Sequence, residues 1–129
     1  MKTLQLSTYR LGSPRPKGEG LRIGTTRFLP RGVKKSDYAA RGYFDVWLPL
    51  LAPSRDLLAW YREADRSPGD FFRRYRKEMS STDPRQAIAL LAALAQRTPL
   101  AIGCFCEDET RCHRTALAAL IRDAAGDGP

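Results

Sequence analysis

The chain is poor in the residues that usually build sites: one histidine, two tryptophans and three cysteines in 129 residues. Acidic groups are also scarce, 14 against 22 basic ones. A membrane-spanning helix needs about 20 predominantly apolar residues. No run comes near this, and the longest candidate, Ile88 to Ala95, is a short Ala/Leu segment. The first residues, Met1-Lys2-Thr3-Leu4-Gln5-Leu6, hold too little apolar content for a signal peptide. These absences predict a cytoplasmic protein with no membrane partner. Three cysteines clustered between positions 104 and 112 are an odd number and do not make a disulfide framework, so reduced thiols are expected.

What remains is an ordinary globular composition, 43% apolar and 28% charged. A chain of this length forms one domain and buries roughly two-thirds of its unfolded surface. The formal net charge is +8, and it is uneven. The first forty residues carry nine Lys/Arg against Glu19 and Asp37, which accounts for seven of the eight net charges. A basic half attracts polyanionic or phosphorylated partners by steering and counterion release. A solvated basic face that only keeps the protein soluble is the competing reading, and composition leaves both open.

Alternating residues predict a strand over 3–10, and a second, weaker one over 21–28, separated by the Gly/Pro-rich loop 12–20. The aromatic run Tyr43 to Leu51 implies burial against the core. Three helices with capping signals follow. Ser54 caps 55–64, Ser67-Pro68 opens 69–79, and Asp83-Pro84 opens 85–96. Pro99 to Cys106 is almost wholly apolar, as a central strand buried on both faces should be. A last helix is expected over 110–123, with a frayed tail at 126–129. Strands followed by helices, with a buried strand late in the chain, predict a single α/β layered domain over 1–125. Its sheet should be mostly parallel and flanked by about four to five helices.

All three cysteines and the only histidine fall in Cys104-Phe105-Cys106-Glu107-Asp108-Glu109-Thr110-Arg111-Cys112-His113-Arg114, where the predicted buried strand meets the last helix. The carboxyl end of a strand facing a helix start is a common anion site. Cys104, Cys106, Cys112 and His113 offer enough soft ligands for tetrahedral zinc. The spacing is not that of paired CxxC arms, however. Cys112 and His113, adjacent on a helix, would also diverge by about 100°, so no metal is assigned. Cys106 to Arg111 has the C-x4-R length of a persulfide or phosphate loop, yet Glu-Asp-Glu within it would repel an anion. For Cys104 the simplest role is that of a small buried apolar group. A second cluster, Arg27-Phe28-Leu29-Pro30-Arg31-Gly32, follows a strand and could bring two guanidinium forks to the same sheet end. Arg27 pairing internally with Glu107 or Asp108 is the alternative. Trp47, Trp60 and Tyr61 lie within apolar patterns and read as core.

Several of these elements carry a family resemblance. The run Gly20 to Ile23, the run Arg27 to Lys35, Trp47, the run Leu51 to Leu57, and Phe72-Arg73-Arg74-Tyr75 are similar to the YeaO-like family. That family is a numbered domain of unknown function. The ending, Cys106 with Glu107 followed by Cys112-His113-Arg114, resembles the Cys-x-Glu and Cys-His-Arg signature of the wider family. The resemblance covers about residues 3 to 122. It implies a compact cytosolic α/β domain without an agreed activity. Where the family pattern reads Asp-Arg-Leu-Trp-Pro-Arg-Gly, this chain reads Thr26-Arg27-Phe28-Leu29-Pro30-Arg31-Gly32, without the carboxylate and the indole.

The resulting expectation is an anion-binding site for a nucleotide or nucleic-acid end. Arg27, Arg31, Glu107, Arg111, Cys112 and Arg114 would line it, with Cys106 or His113 as base or nucleophile and no cofactor. The rival is a non-catalytic nucleic-acid-binding or regulatory module that uses the basic first half. Neither reading sets the oligomeric state or decides whether the protein is an enzyme.

Overall fold

The computed structural model describes residues 4–105 and 112–126. Four strands, β1 (Leu6–Arg10), β2 (Leu21–Gly24), β3 (Val46–Trp47) and β4 (Leu100–Cys104), form one sheet in the order β1-β4-β2-β3. Every pairing is parallel: Leu6 lies opposite Leu100, Ile23 opposite Ile102, and Ile23 opposite Val46. The helices are α1 (Arg55–Glu63), α2 (Pro68–Met79), α3 (Thr82–Ala95) and α4 (His113–Ala124), with short 3-10 turns at Lys35–Asp37 and Pro49–Leu51. The expected α/β layered domain with a parallel sheet and four α-helices is therefore present.

Side-chain alternation along β4 divides the core. Leu100 and Ile102 point to one face, where Ile23 joins them against Leu57, Phe71, Tyr75, Ile88, Leu91, Leu117 and Ile121 from the four helices. Ala101 points to the other face, which no α-helix among the described residues covers. An aromatic layer of Tyr9, Tyr38, Tyr43, Phe44 and Trp47 closes it. The strand is buried along its whole length, as a centre strand covered on both faces must be. Gly103 is required by this packing, because a Cβ there would lie 2.5 Å from the Tyr9 ring.

The aromatic face also buries a charge. Arg22 is fully buried over the Tyr9 ring at 4.2 Å. Its guanidinium donates to Glu19 at 2.5 Å and to the Ser13, Pro14 and Gly42 carbonyls. Arg15 is held by Asp45 at 2.9 Å, and this pairing, with the amide of Arg22, outweighs desolvation and lowers the Asp45 pKa. Part of the basic first half is thus structural.

The caps at Ser54 and Ser67 are present, accepting from the amides of Leu57 and Asp70. Among the boundaries that differ from expectation, three have a local cause or consequence. The second strand stops at Gly24 because the side chains of Thr25 and Thr26 turn the backbone, donating to Gly103 O and Phe28 O. α3 starts at Thr82 behind Ser81, which puts Pro84 inside the first turn, where a missing N–H costs nothing. α4 starts at His113, with Cys112 as its extended cap residue. The other parts of the predicted helix start, Thr110 and Arg111, lie outside the described residues, as does most of the predicted tail.

Candidate functional site

β4 ends at Cys104 in the middle of the sheet. Its neighbours there are the carboxyl ends of β1 and β2 and the start of α4. Two unlike groups of side chains surround this strand end.

The first group is buried. Cys104 and Cys112 are 2% and 1% exposed, and their sulfurs are joined in a disulfide. The structure draws these two sulfurs together as a pair, where the sequence reads as three reduced thiols. A strand end and a helix cap eight residues apart in sequence pack on the same face, so the two sulfurs meet although the cysteine count is odd. The divergence expected between Cys112 and His113 is also absent, because Cys112 precedes the helix with extended φ/ψ. Sγ of Cys112 lies 3.8 Å from Nδ1 of His113.

His113 is fixed by the residue that follows β2. Its Nε2 lies 2.7 Å from Thr25 O and 3.2 Å from Thr25 Oγ1. A carbonyl can only accept, so Nε2 carries the proton and Nδ1 keeps its lone pair on the sulfur side. Burial is the main force lowering the pKa of this imidazole to about 4. The nearby Arg114 charge adds to the effect, while the Thr25 carbonyl opposes it. Near neutral pH the ring is uncharged. Arg114, 4% exposed, donates from Nη1 to Tyr9 O at 3.0 Å and to Cys104 Sγ at 3.7 Å. It thereby ties the start of α4 to the ends of β1 and β4. The Cys104, Cys112 and His113 donor atoms all lie within 4.8 Å of one another.

The second group is open. Phe28, Leu29 and Arg31 from the turn after β2, Arg62 from the end of α1, and Phe105 from just beyond β4 line a cleft of about 480 Å³. Phe28 and Phe105 are 49% and 43% exposed, high for phenylalanine. The Arg55 guanidinium stands 5.0 Å over the Phe28 ring. Thr25 joins the two groups: it receives the His113 proton, and the next residue, Thr26, holds Phe28 O at 2.8 Å. Trp47 braces the same turn, donating from its indole to Thr26 O at 2.9 Å.

The structure brings together only some of the residues expected in the site. Arg31 lines the cleft. Arg27 sits apart from it, donating to the carbonyls of Pro53 and Ala52 at 3.1 and 3.2 Å, and so braces the turn before α1. Cys112, His113 and Arg114 belong to the buried group. Cys106, Glu107 and Arg111 lie outside the described residues, as does Asp108. Sequence reasoning missed Arg62 and Phe105. The one usable signal was an aromatic residue placed between two cysteines at the end of a buried strand.

A larger groove of about 970 Å³ runs between α1 and α2 around Trp60. Its acidic Asp56, Asp70 and Glu78 face the basic Arg73, Arg74 and Lys77. Opposite charges interleaved in this way leave no single-sign field for a charged ligand. Arg66 and Arg74 stack on Trp60 at 4.3 and 3.9 Å, which makes it a packed side chain rather than a base platform. No helix among the described residues is long and apolar enough to cross a membrane.

A family model, DUF488-N3a, described as the active DUF488-N3 subclade, matches residues 6–125. The uncharacterised protein YeaO of Escherichia coli is 27% identical over 119 residues, covering 92% of this chain and 98% of its own. An uncharacterised protein of Mycobacterium tuberculosis is 27% identical over 103 residues, covering 80% and 81%. No solved structure matches the chain significantly.

Proposed function

The chain belongs to the DUF488-N3a family, and from that premise we propose that it binds a nucleotide, free or as the phosphorylated end of a nucleic acid, in the cleft beyond β2 and β4. One observation carries the reading. Two guanidinium groups, Arg31 and Arg62, and two exposed phenyl rings, Phe28 and Phe105, share one concavity at the carboxyl end of a parallel sheet. Parallel sheets bind ligands outside the carboxyl ends of their strands. The volume falls in the range of small-molecule sites, about 300–1,000 Å³. Rings offer faces for a base, and guanidinium forks pair with phosphate.

Cys106 follows Phe105 directly in sequence, and it is the thiol we expect to adjoin the bound ligand. His113 serves as a positioning group. Its protonated nitrogen is spent on Thr25, which anchors the turn that carries Phe28 and Arg31. Arg27 and Arg114 act in the same way, bracing the cleft from behind. The rival reading, a nucleic-acid module working through the basic first half, draws less support because Arg15, Arg22 and Arg27 are engaged within the fold.

Calorimetric titration with nucleoside monophosphates and with short 5′-phosphorylated oligonucleotides tests the proposal. Binding is expected for the wild type, with a loss of about tenfold for each of Arg31→Ala and Arg62→Ala. Protection of Cys106 from alkylation by the bound nucleotide is the accompanying readout. No binding by any of these ligands, or binding unchanged in the double variant, overturns it.

A further inference from the structure

We propose that, in the reduced protein, Cys104, Cys112 and Nδ1 of His113 form a binding site for a thiophilic divalent cation of the zinc class, and that the disulfide is the metal-free oxidised form of that site.

Three observations support this. First, the donors are already gathered: two sulfurs and one imidazole nitrogen lie within 4.8 Å of one another. A tetrahedral zinc with Zn–S of about 2.3 Å and Zn–N of about 2.0 Å needs S···N edges of about 3.6 Å and an S···S edge of about 3.8 Å. The Cys112 Sγ to His113 Nδ1 separation is 3.8 Å. Opening the S–S bond lets the sulfurs part toward the required edge.

Second, the imidazole has its outer contact in place. Zinc-bound histidines donate their second ring N–H to a carbonyl or carboxylate, which fixes the tautomer and aims the lone pair at the metal. Thr25 O does this for Nε2 at 2.7 Å, leaving Nδ1 on the sulfur side. Third, Arg114 Nη1 lies 3.7 Å from Cys104 Sγ and can donate to a thiolate there. Two thiolates and a neutral imidazole around a divalent ion make a neutral centre, which suits a site this buried.

The chemistry balances with a dithiol as the named reductant. Dithiothreitol delivers two electrons and two protons to the Cys104–Cys112 bond, giving two thiols, and closes its own disulfide. The cation then replaces the two thiol protons, which pass to the buffer. The fourth coordination position is left for water or another side chain. The site uses neither Arg31 nor Arg62, so it stands or falls separately from the nucleotide cleft.

The test uses the full chain, reduced under anaerobic conditions, freed of reductant and titrated with Co2+ and then Zn2+. The expected result is one cobalt per chain, with thiolate-to-cobalt charge-transfer absorption that zinc abolishes. X-ray absorption of the zinc form should show two sulfur neighbours and an imidazole nitrogen, and the oxidised protein should take up no ion. Cys106→Ser should keep both sulfur neighbours, which distinguishes Cys104 and Cys112 from the third thiol. A folded, reduced protein that binds no ion overturns the proposal, as does a zinc form with fewer than two sulfurs in the wild type or in Cys106→Ser.

Discussion

The two sides of the β4 strand end are built from opposite materials. Behind the strand, Cys104, Cys112, His113 and Arg114 are buried, mutually bonded and anchored to backbone carbonyls of β1 and of the residue following β2. In front of it, Phe28, Leu29, Arg31, Arg62 and Phe105 are exposed around a cleft. Residues adjacent in sequence fall on opposite sides: Cys104 is buried and Phe105 is not. Polar residue type alone therefore does not tell a buried side chain from an exposed one at this strand end. On the proposed reading Cys104, Cys112, His113 and Arg114 form a frame, and the less conspicuous aromatic and guanidinium groups are what a ligand would meet.

If that division is right, changes to the frame should cost stability, whereas changes to the cleft should cost affinity and little else. The largest effect is expected from pH. The folded pKa of His113 is about 4, below the ordinary value of 6.5. The unfolded chain then binds more protons in between, and stability present above pH 6.5 is lost as pH falls toward 4. The loss is on the order of 3 kcal/mol. Urea unfolding of the metal-free protein across that window measures it, and His113→Gln should flatten the slope. Next comes Arg114→Met, which removes the donor to Tyr9 O and should cost about 2 kcal/mol, read as a lower midpoint of denaturation. Thr25→Val keeps the shape but deletes the hydroxyl bond to Gly103 O, for about 1 kcal/mol. The smallest effect on stability, under about 0.5 kcal/mol, belongs to Arg31→Ala and Arg62→Ala, both exposed. A large stability loss in the cleft variants would erase the distinction between the two regions.

The parts of the fold that sequence foretold are those governed by local chemistry. Ser54 and Ser67-Pro68 begin helices because a hydroxyl and a missing N–H satisfy the first turn wherever they occur. The apolar run from Pro99 reads as a buried strand because only a centre strand tolerates apolar residues on both faces. The junction between that strand and α4 was likewise legible as the place where polar groups converge. What sequence could not supply was which way each group faces. Arg27 and Arg31 are four residues apart in one loop, yet one caps the carbonyls before α1 and the other lines the cleft. Arg22 looks like surface charge in a basic segment, but Glu19 and three carbonyls make its burial tolerable. The sulfur pairing depends on Cys112 being extended ahead of the helix, a backbone choice that helical periodicity argued against. Arg62 belongs to the polar face of α1, and only the packing of α1 beside the turn after β2 brings it to the cleft.

Mapping a nucleoside monophosphate onto the chain by backbone amide chemical shifts tests this division most directly. The account predicts that the shifts concentrate at Phe28, Leu29, Arg31, Arg62 and Phe105 and leave the α1–α2 groove around Trp60 untouched. Shifts centred on Trp60, Arg73 and Arg74, with the β2 turn and Phe105 silent, would contradict it.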